Sequence, residues 1–340
     1  MSVFASLVRK IRILPLLCLL LPVLAWGDEP LASWQDGGAK TAIIAFVEKV
    51  SDTASPGFVP AEQRIATFDN DGTLWSEQPL YFQGIWALDQ IRKMAPSHPE
   101  WQQQEPFKSA LAGDIHGMLA GGEGPLLKML MVPHANVTAH DFASEVSAWL
   151  VSARHPTTGM QYTDMVFQPM LELMDYLRAN DFKVYIVSGG GIDFIRVFAE
   201  QRYGVPPEQV IGSTADARFE MRDGVPTIVK EGKITLVDDK AGKPVGIYRH
   251  IGRRPIFAAG NSDGDMQMLE YTTIAEGPDD KTPRFGLIVH HTDGEREFAY
   301  DRQSAMGKLD KALDAAPEQG WLVVDMKKDW KQVYPPAQAD

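Results

Sequence analysis

The 340-residue sequence contains a single cysteine, Cys18, which excludes an intramolecular disulfide framework and any zinc site built from cysteines. It also lacks an excess of positive charge, because 33 lysines and arginines stand against 45 aspartates and glutamates, for a formal net charge of -12. Non-specific nucleic-acid binding needs a basic face, so this balance argues against that class of protein. The sequence shows no internal repeat, and its length predicts about two domains, or one domain with a large insertion.

An uncharged apolar run occupies residues 13–26 and follows a short basic segment. The run is too short for a membrane-spanning helix, which takes about 20 residues. This pattern is typical of a secretory signal peptide, here residues 1–27, with cleavage after Gly27 or alternatively after Ala25. We therefore expect a periplasmic or secreted protein with no stable membrane anchor, the alternative being an uncleaved anchor.

Apolar strands alternate with amphipathic helices along most of the chain. Strands are expected at residues 64–68, 183–187 and 255–259, with further short ones near 272–275, 285–290 and 321–325. Helices are expected at residues 40–52, 168–180 and 192–202, and from about residue 242. This alternation predicts an α/β protein with a mostly parallel sheet, whose active site lies beyond the carboxyl ends of the strands. Asp223-Gly224 within residues 216–237 predicts a β-hairpin, whereas residues 76–165 read as helical with no strand.

Two carboxylates leave the first predicted strand together, in the sequence Asp69-Asn70-Asp71-Gly72. Aspartate is a covalent nucleophile toward phosphoryl groups, and a second carboxylate can donate or accept a proton. An oxygen-rich site of this kind also suits Mg²⁺. An ordinary turn is the alternative for this segment alone, since Asp and Gly are common where strands end.

Polar loops also follow the second and third strands. Ser188 precedes three glycines, beginning with Gly189, and a helix, an arrangement in which a hydroxyl and backbone N–H groups can cradle a phosphate. The loop after the third strand contains Asn261, Asp263 and Asp265. Together, the three loops predict a site that handles a phosphoryl group.

A lysine close to this site would offset the negative charge of a phosphoryl group and of its nucleophile. The segment before the third strand offers two candidates, Lys240 and Lys243. With Lys243 included, the ordered loops resemble the four motifs of the haloacid dehalogenase (HAD) superfamily of phosphotransferases, and the chain looks similar to its phosphoserine phosphatase-like members. The resemblance favours Lys243 over Lys240.

The resemblance implies a Rossmann-like core formed by residues 28–75 and 166–340, a parallel sheet flanked by helices. Residues 76–165 would form an inserted α-helical cap that closes over the active site and selects the substrate. Three residues closely follow the Asp69-Asn70-Asp71-Gly72 segment, which is called the nucleophile loop below. Glu77 is expected to contact substrate, and Gln78 and Tyr81 are expected to face the pocket.

The resemblance also implies a role for each motif residue. Asp69 would be the nucleophile and Asp71 the general acid and base, and both would bind Mg²⁺. Ser188, Gly189 and Lys243 would hold the phosphoryl group.

The fourth motif departs from the family pattern, because Asn261 stands where the family usually has a metal-binding aspartate. An amide oxygen can bind a hard cation, but it brings less charge. The ligand is therefore open between Asn261 and Asp263, while Asp265 would be a ligand or a residue that orients Lys243.

The function expected from these residues is that of an exported, Mg²⁺-dependent phosphomonoesterase. It would act on a small phosphorylated metabolite through an aspartyl-phosphate intermediate. The alternatives are phosphoryl transfer to an alcohol acceptor, or a non-catalytic periplasmic binding protein whose site has decayed, as Asn261 suggests.

Two pairs of side chains have competing interpretations. Trp75 and Trp86 could form an aromatic wall for an organic cation such as choline, but packing of the cap against the core is favoured. His290 and His291 are adjacent on a predicted strand and point to opposite faces, so structural roles are expected for them rather than a shared metal.

Overall fold

The computed structural model of the protein describes residues 30–336, so the signal peptide predicted at residues 1–27 lies outside the described residues. The strands of its sheet are β1 (Ile65–Phe68), β2 (Ala135–Thr138), β3 (Lys183–Gly191), β4 (Val210–Arg222), β5 (Val225–Leu236), β6 (Phe257–Gly260), β7 (Phe285–His290) and β8 (Leu322–Asp325). They lie in the order β2-β5-β4-β3-β1-β6-β7-β8. From β4 to β8 each neighbouring pair is parallel, whereas β5 and β2 are added antiparallel at one edge.

Helices connect the parallel strands. They are α1 (Gly38–Ser51), α2 (Phe82–Met94), α3 (Phe107–Ala112), α4 (Ile115–Ala120), α5 (Glu123–Met131), α6 (Ala139–Ser152), α7 (Gln168–Ala179), α8 (Ile192–Arg196), α9 (Ala199–Tyr203), α10 (Gly242–His250), α11 (Met266–Thr273), α12 (Lys311–Gln319) and α13 (Met326–Asp329). Between residues 30 and 336, none of the helices is long and apolar enough to cross a membrane.

The central strands β1 and β6 are buried along their whole length. Parallel strands that are covered on both faces have short, continuous apolar sequences, and such runs can be recognised in the sequence alone. The predicted α/β fold, a Rossmann-like sheet flanked by helices, is confirmed. The parallel order also places the carboxyl ends of β1, β3 and β6 side by side.

Three local predictions were wrong. The segment 272–275, expected as a strand, instead contains the end of α11, whose buried Met268, Leu269 and Thr272 share one helical face. The helix expected at 192–202 is divided into α8 and α9. Residues 76–165 also contain a strand, β2, which is only four residues long and pairs with β5. Such a short element has no alternation that the sequence could reveal.

The hairpin predicted around Asp223-Gly224 is confirmed. Both turn residues have positive φ, 50° at Asp223 and 79° at Gly224, as a two-residue turn between twisted strands requires. Strand β4 leaves the parallel sheet and continues into this hairpin, and β5 then pairs with β2 of the insert. The hairpin thus links the insert to the sheet, while the domain boundaries at residues 75 and 166 stay a prediction.

Candidate active site

The loop after β1 carries Asp69 into a buried position beside β6. The backbone N–H of Asp69 donates to the carbonyl of Ala259 at 2.9 Å, and Asp69 is only 7% exposed. Gly72 in this loop has a φ of 75°, and a Cβ there would lie 2.0 Å from Nδ2 of Asn261. The loop therefore needs glycine both for its backbone conformation and for its close approach to the loop after β6.

Lys243, in the first turn of α10, contacts the loop after β1, the strand β3 and the loop after β6. Its Nζ lies 2.5 Å from Oδ1 of Asp69, 2.6 Å from the carbonyl oxygen of Val187 and 2.9 Å from Oδ1 of Asp265. Burial disfavours the charge on Lys243, but Asp265 and Asp69 outweigh this effect and raise the pKa of the lysine above its usual range. Lys240 is instead largely exposed and lies next to Asp239. The structure thus brings Lys243, rather than Lys240, to Asp69.

Asp71 occupies a more open position than Asp69. Its Oδ1 accepts a hydrogen bond from Nε1 of Trp75 at 2.7 Å, and its side chain is partly exposed. Burial is the main reason that the pKa of Asp71 is raised to about 6, while the bond from Trp75 opposes the rise. A carboxyl group with this pKa can both release and take up a proton near neutral pH.

Ser188 and the glycines after it form the end of β3. The Oγ of buried Ser188 accepts the N–H of Gly190 at 3.0 Å, so the hydroxyl proton remains available for another acceptor. Gly189 is exposed at this edge. The N–H of Gly191 donates to Oε1 of Gln83 at 2.7 Å, and Gln83 belongs to the first turn of α2. Sequence reasoning missed Gln83, which no motif marks.

The loop after β6 is organised by Asp265. Its Oδ2 accepts the N–H groups of Asn261 and Ser262, both at 3.0 Å, while Oδ1 faces Lys243. Asp263 points to a different partner, because its Oδ1 accepts the N–H groups of Asp310 and Ala312 at 3.0 and 2.9 Å. Those groups lie at the start of α12, so Asp263 caps this helix. That Asp263 rather than Asn261 is the metal ligand stays a prediction, since the contacts of Asp263 here are with backbone groups at the start of α12.

The side chain of Asn261 lies between Thr73 and Glu77 and forms a hydrogen bond with each. Its Oδ1 accepts from Oγ1 of Thr73 at 3.2 Å, and its Nδ2 donates to Oε1 of Glu77 at 2.7 Å. The same Glu77 oxygen accepts the hydroxyl of Tyr300 at 2.7 Å. Burial is the main reason that the pKa of Glu77 lies well above its usual range, and the hydrogen bond from Tyr300 offsets only part of this rise. That Glu77 contacts substrate stays a prediction, since its contacts here are with protein groups.

His291, which directly follows β7, supports the loop after β1. Its Nε2 lies 2.7 Å from the carbonyl oxygen of Gly72, and its Nδ1 lies 3.0 Å from Oε2 of Glu297. His290, on the opposite face, lies 3.4 Å from Asp301. The two histidines therefore have separate partners, in line with the structural roles expected for them. The contact of His291 with the loop after β1 is visible only in the tertiary structure.

Both tryptophans are covered by other rings. Trp75 stacks on Phe198 with centroids 4.5 Å apart, and Trp86 meets Phe142 edge-on at 5.2 Å. Neither is more than 1% exposed. These contacts support packing, and they leave no open aromatic wall for an organic cation.

The oxygen atoms near Asp69 suit a hard cation in kind. Oδ2 of Asp69 and Oδ1 of Asn261 both contact Oγ1 of Thr73, at 3.4 and 3.2 Å, so they converge on one point. Carboxylate and amide oxygens are ligands that Mg²⁺ accepts, and the backbone carbonyl of Asp71 belongs to the same loop. Within residues 30–336, however, no group of three or more His, Cys, Asp or Glu side chains could hold a metal. The donor set therefore fits Mg²⁺, but with little negative charge.

The family model for haloacid dehalogenase-like hydrolases matches residues 66–270, which is more than half of the chain and includes Asp69, Ser188, Lys243 and Asn261. The chain belongs to this family. A search of the curated proteins gave no match.

Several solved structures are similar to this HAD hydrolase at low sequence identity. A protein with unknown function from Bordetella pertussis Tohama I is 16% identical, with 78% of this chain and 99% of that chain covered and a TM-score of 0.48. A probable phosphoserine phosphatase from Vibrio cholerae is 15% identical, with 84% and 75% covered and a TM-score of 0.38. At TM-scores this low, these structures do not bear on the substrate of the HAD hydrolase.

Proposed function

We propose that this HAD hydrolase is an exported, Mg²⁺-dependent phosphomonoesterase that acts on a small phosphorylated metabolite. The observation that carries the proposal is the contact of Lys243 with both Asp69 and Asp265, beside the hydroxyl-bearing loop at Ser188. A buried cation held against a carboxylate nucleophile is suited to a reaction that brings a phosphoryl group to that carboxylate.

In the first step, a carboxylate oxygen of Asp69 attacks phosphorus, while Lys243 stays in contact with the same carboxylate. The bond between phosphorus and the ester oxygen breaks, and Asp71 gives its proton to the leaving alcohol. Lys243 and the hydroxyl of Ser188 stabilise the charge on the phosphoryl oxygens. The product of this step is an aspartyl-phosphate on Asp69 and a free alcohol.

In the second step, water attacks phosphorus and Asp71, now ionised, takes the water proton. The bond between Asp69 and phosphorus breaks, which releases inorganic phosphate and restores both carboxyl groups. A pKa of about 6 suits Asp71 to both steps, because the group spends time in each protonation state near neutral pH.

The side chains of Asp69 and Asn261 and the backbone carbonyl of Asp71 would hold Mg²⁺. When bound, the ion supplies charge neutralisation for the phosphoryl group. Export is supported by the basic segment and apolar run at residues 1–27, which match a cleaved signal peptide.

The test is hydrolysis of p-nitrophenyl phosphate by the protein purified from expression of the full sequence, with Mg²⁺ and then with excess EDTA. We expect Mg²⁺-dependent turnover, after which other phosphomonoesters can be compared. Release of glycerol phosphate when glycerol is added would favour phosphoryl transfer to an alcohol. Absence of turnover with every phosphomonoester would contradict the proposal and favour the non-catalytic alternative.

A further inference from the structure

The departure of Asn261 from the family motif leaves the candidate metal site one carboxylate short. A carboxylate is nevertheless present one hydrogen bond away, because Nδ2 of Asn261 donates to Oε1 of Glu77 at 2.7 Å. Glu77 follows the nucleophile loop and is 1% exposed. The two residues are 184 positions apart in the sequence, so their pairing is a product of the fold.

In the part of the chain that the structure describes, the hydrogen-bond donors of Glu77 are neutral. Besides Asn261, the hydroxyl of Tyr300 donates to it at 2.7 Å, and no lysine, arginine or histidine among residues 30–336 forms an ion pair with it. Burying a carboxylate without a cation is costly, because hydrogen bonds replace only part of its hydration. The carboxylate therefore fits a site that a cation completes.

The contact also determines which way the Asn261 amide faces. A bound cation would favour the ionised form of Glu77, which only accepts hydrogen bonds, so the NH₂ group of Asn261 must then point to Glu77, as it does here. Its oxygen then points to Thr73 and toward Asp69, where a cation would need it. An aspartate at position 261 would place a second carboxylate against Glu77, which costs electrostatic energy unless a proton or a cation lies between them.

Two glycines make room for Glu77. A Cβ on Gly72 would lie 2.4 Å from Oε1 of Glu77, and a Cβ on Gly307 would lie 1.7 Å from the same atom. Both glycines have positive φ, 75° and 60°. The backbone segments at Gly72 and Gly307 thus pack against the Glu77 carboxylate and hold it in contact with Asn261.

We propose that Glu77 is a positioning residue that supplies, through Asn261, the negative charge that an aspartate at position 261 would bring to a divalent cation. The site is then a rearranged metal site, with the carboxylate moved from position 261 to position 77. This inference rests on the Mg²⁺ binding proposed above.

The test measures binding of Mg²⁺ alone by titration calorimetry to the full-length protein and its variants. Glu77→Gln should weaken binding by about tenfold or more, the usual cost of losing an outer partner of a metal ligand. The double variant Glu77→Gln with Asn261→Asp returns a carboxylate to the site and should bind within about threefold of wild type. Glu295→Gln removes the same charge from a side chain that is 81% exposed, and it should bind like wild type.

A structural role for Glu77 would not produce rescue by the double variant. The inference is overturned if folded Glu77→Gln binds Mg²⁺ as wild type does, or if the double variant stays as weak as Glu77→Gln. If Glu77→Gln does not fold, the single variant Asn261→Asp tests the inference. Its melting temperature in EDTA should be below that of wild type. Addition of Mg²⁺ should raise its melting temperature by more than it raises that of wild type. An Mg²⁺-induced rise equal to that of wild type overturns the inference.

The wild-type protein separates this inference from the proposed function. Wild-type binding of Mg²⁺ with no effect of the variants refutes only the role of Glu77. Wild-type binding with the expected variant pattern, but no hydrolysis of any phosphomonoester, supports the role of Glu77 and refutes the activity. Failure of the wild-type protein to bind Mg²⁺ overturns both the metal dependence and the inference.

Discussion

Buried carboxylates are stabilised differently on the two sides of this site. On the Lys243 side, Asp69 and Asp265 share one buried ammonium group, at 2.5 and 2.9 Å. On the Glu77 side, the partners of an equally buried carboxylate within residues 30–336 are the Asn261 amide and the Tyr300 hydroxyl. The comparison teaches that the chain supplies a buried cation to the carboxylates of one side and only neutral donors, among residues 30–336, to the carboxylate of the other.

The two sides also differ in how they are built. Regular elements and their caps form the Lys243 side: Lys243 lies in the first turn of α10, and Asp265 accepts two N–H groups of its own loop. Segments without regular structure form the Glu77 side, which joins the start of the insert to the chain around Tyr300 and Gly307. The Glu77 side thus depends on contacts between segments that are far apart in sequence.

The largest effect is expected from Asp69→Asn, which removes the proposed nucleophile and one of the two carboxylates that contact Lys243. Turnover of p-nitrophenyl phosphate should fall on the order of 10⁴-fold or more, as for other lost nucleophiles. Asp175→Asn is the matched control, because Asp175 is 74% exposed and pairs with Arg178 in the same helix. Substantial turnover in folded Asp69→Asn would contradict the assignment of the nucleophile.

The next largest effect is expected from Lys243→Met, which leaves Asp69 and Asp265 buried without a cation. Breaking a buried ion pair by removing one partner costs about 3–5 kcal/mol, so the free energy of unfolding should fall by that amount. Urea unfolding at pH 7 measures it. A loss below about 1 kcal/mol, the range of exposed pairs, would show that Lys243 does not stabilise the two buried carboxylates in this way.

A smaller effect concerns Asp71, which has neither the ammonium partner of Asp69 nor the full burial of Glu77. Its pKa of about 6 means that the fraction carrying a proton falls as the pH rises above 6. For an alkyl phosphomonoester, kcat/KM should then fall about tenfold per pH unit above that value. A p-nitrophenyl ester should show a shallower decline, because its leaving group needs less protonation.

Trp75→Phe checks this assignment, because it removes the hydrogen bond that lowers the pKa of Asp71. The falling limb of the pH profile should move to higher pH. Trp86→Phe is the control, since Trp86 is equally buried and its Nε1 has no hydrogen-bond partner within the described residues. A limb that does not move in Trp75→Phe would assign it to another group.

The smallest effect is expected from Glu77→Gln on stability in EDTA. Burial raises the pKa of Glu77 in the folded state, so the folded protein holds this proton more tightly than the unfolded chain does. The stability from this group is present at low pH and is lost as the pH rises through the folded-state pKa. The variant avoids that loss and should be at least as stable as wild type at pH 8, with the difference closing toward pH 4. Clear destabilisation at pH 8 would mean that Glu77 is already charge-balanced by the chain.

Most of the fold and the positions of the loops could be predicted from the sequence, because short buried strands followed by polar glycine-containing loops leave a strong local signal. The family was correctly identified for the same reason. Strand β2 and helix α11 were not predicted: β2 is too short to show a pattern, and the packing of Met268 and Leu269 outweighs the strand preference of Thr272.

The sequence also could not predict which polar side chains meet. Asp263 and Asp265 are two positions apart in one loop, yet Asp263 caps α12 while Asp265 faces Lys243. Gln83 and His291 reach the site from elements that carry no catalytic motif. Their contacts depend on where those elements pack, which local spacing does not encode.

By itself, then, the sequence determined the α/β class, the family and the loops that hold Asp69, Ser188 and Lys243, because these follow from local apolar patterns and short motifs. Only the tertiary structure decided the charge environment. Whether a buried carboxylate faces an ammonium group, as Asp265 does, or an amide and a phenol, as Glu77 does, depends on contacts between distant segments. Electrostatic energy is set by such distances and by burial, and neither is a property of a sequence motif.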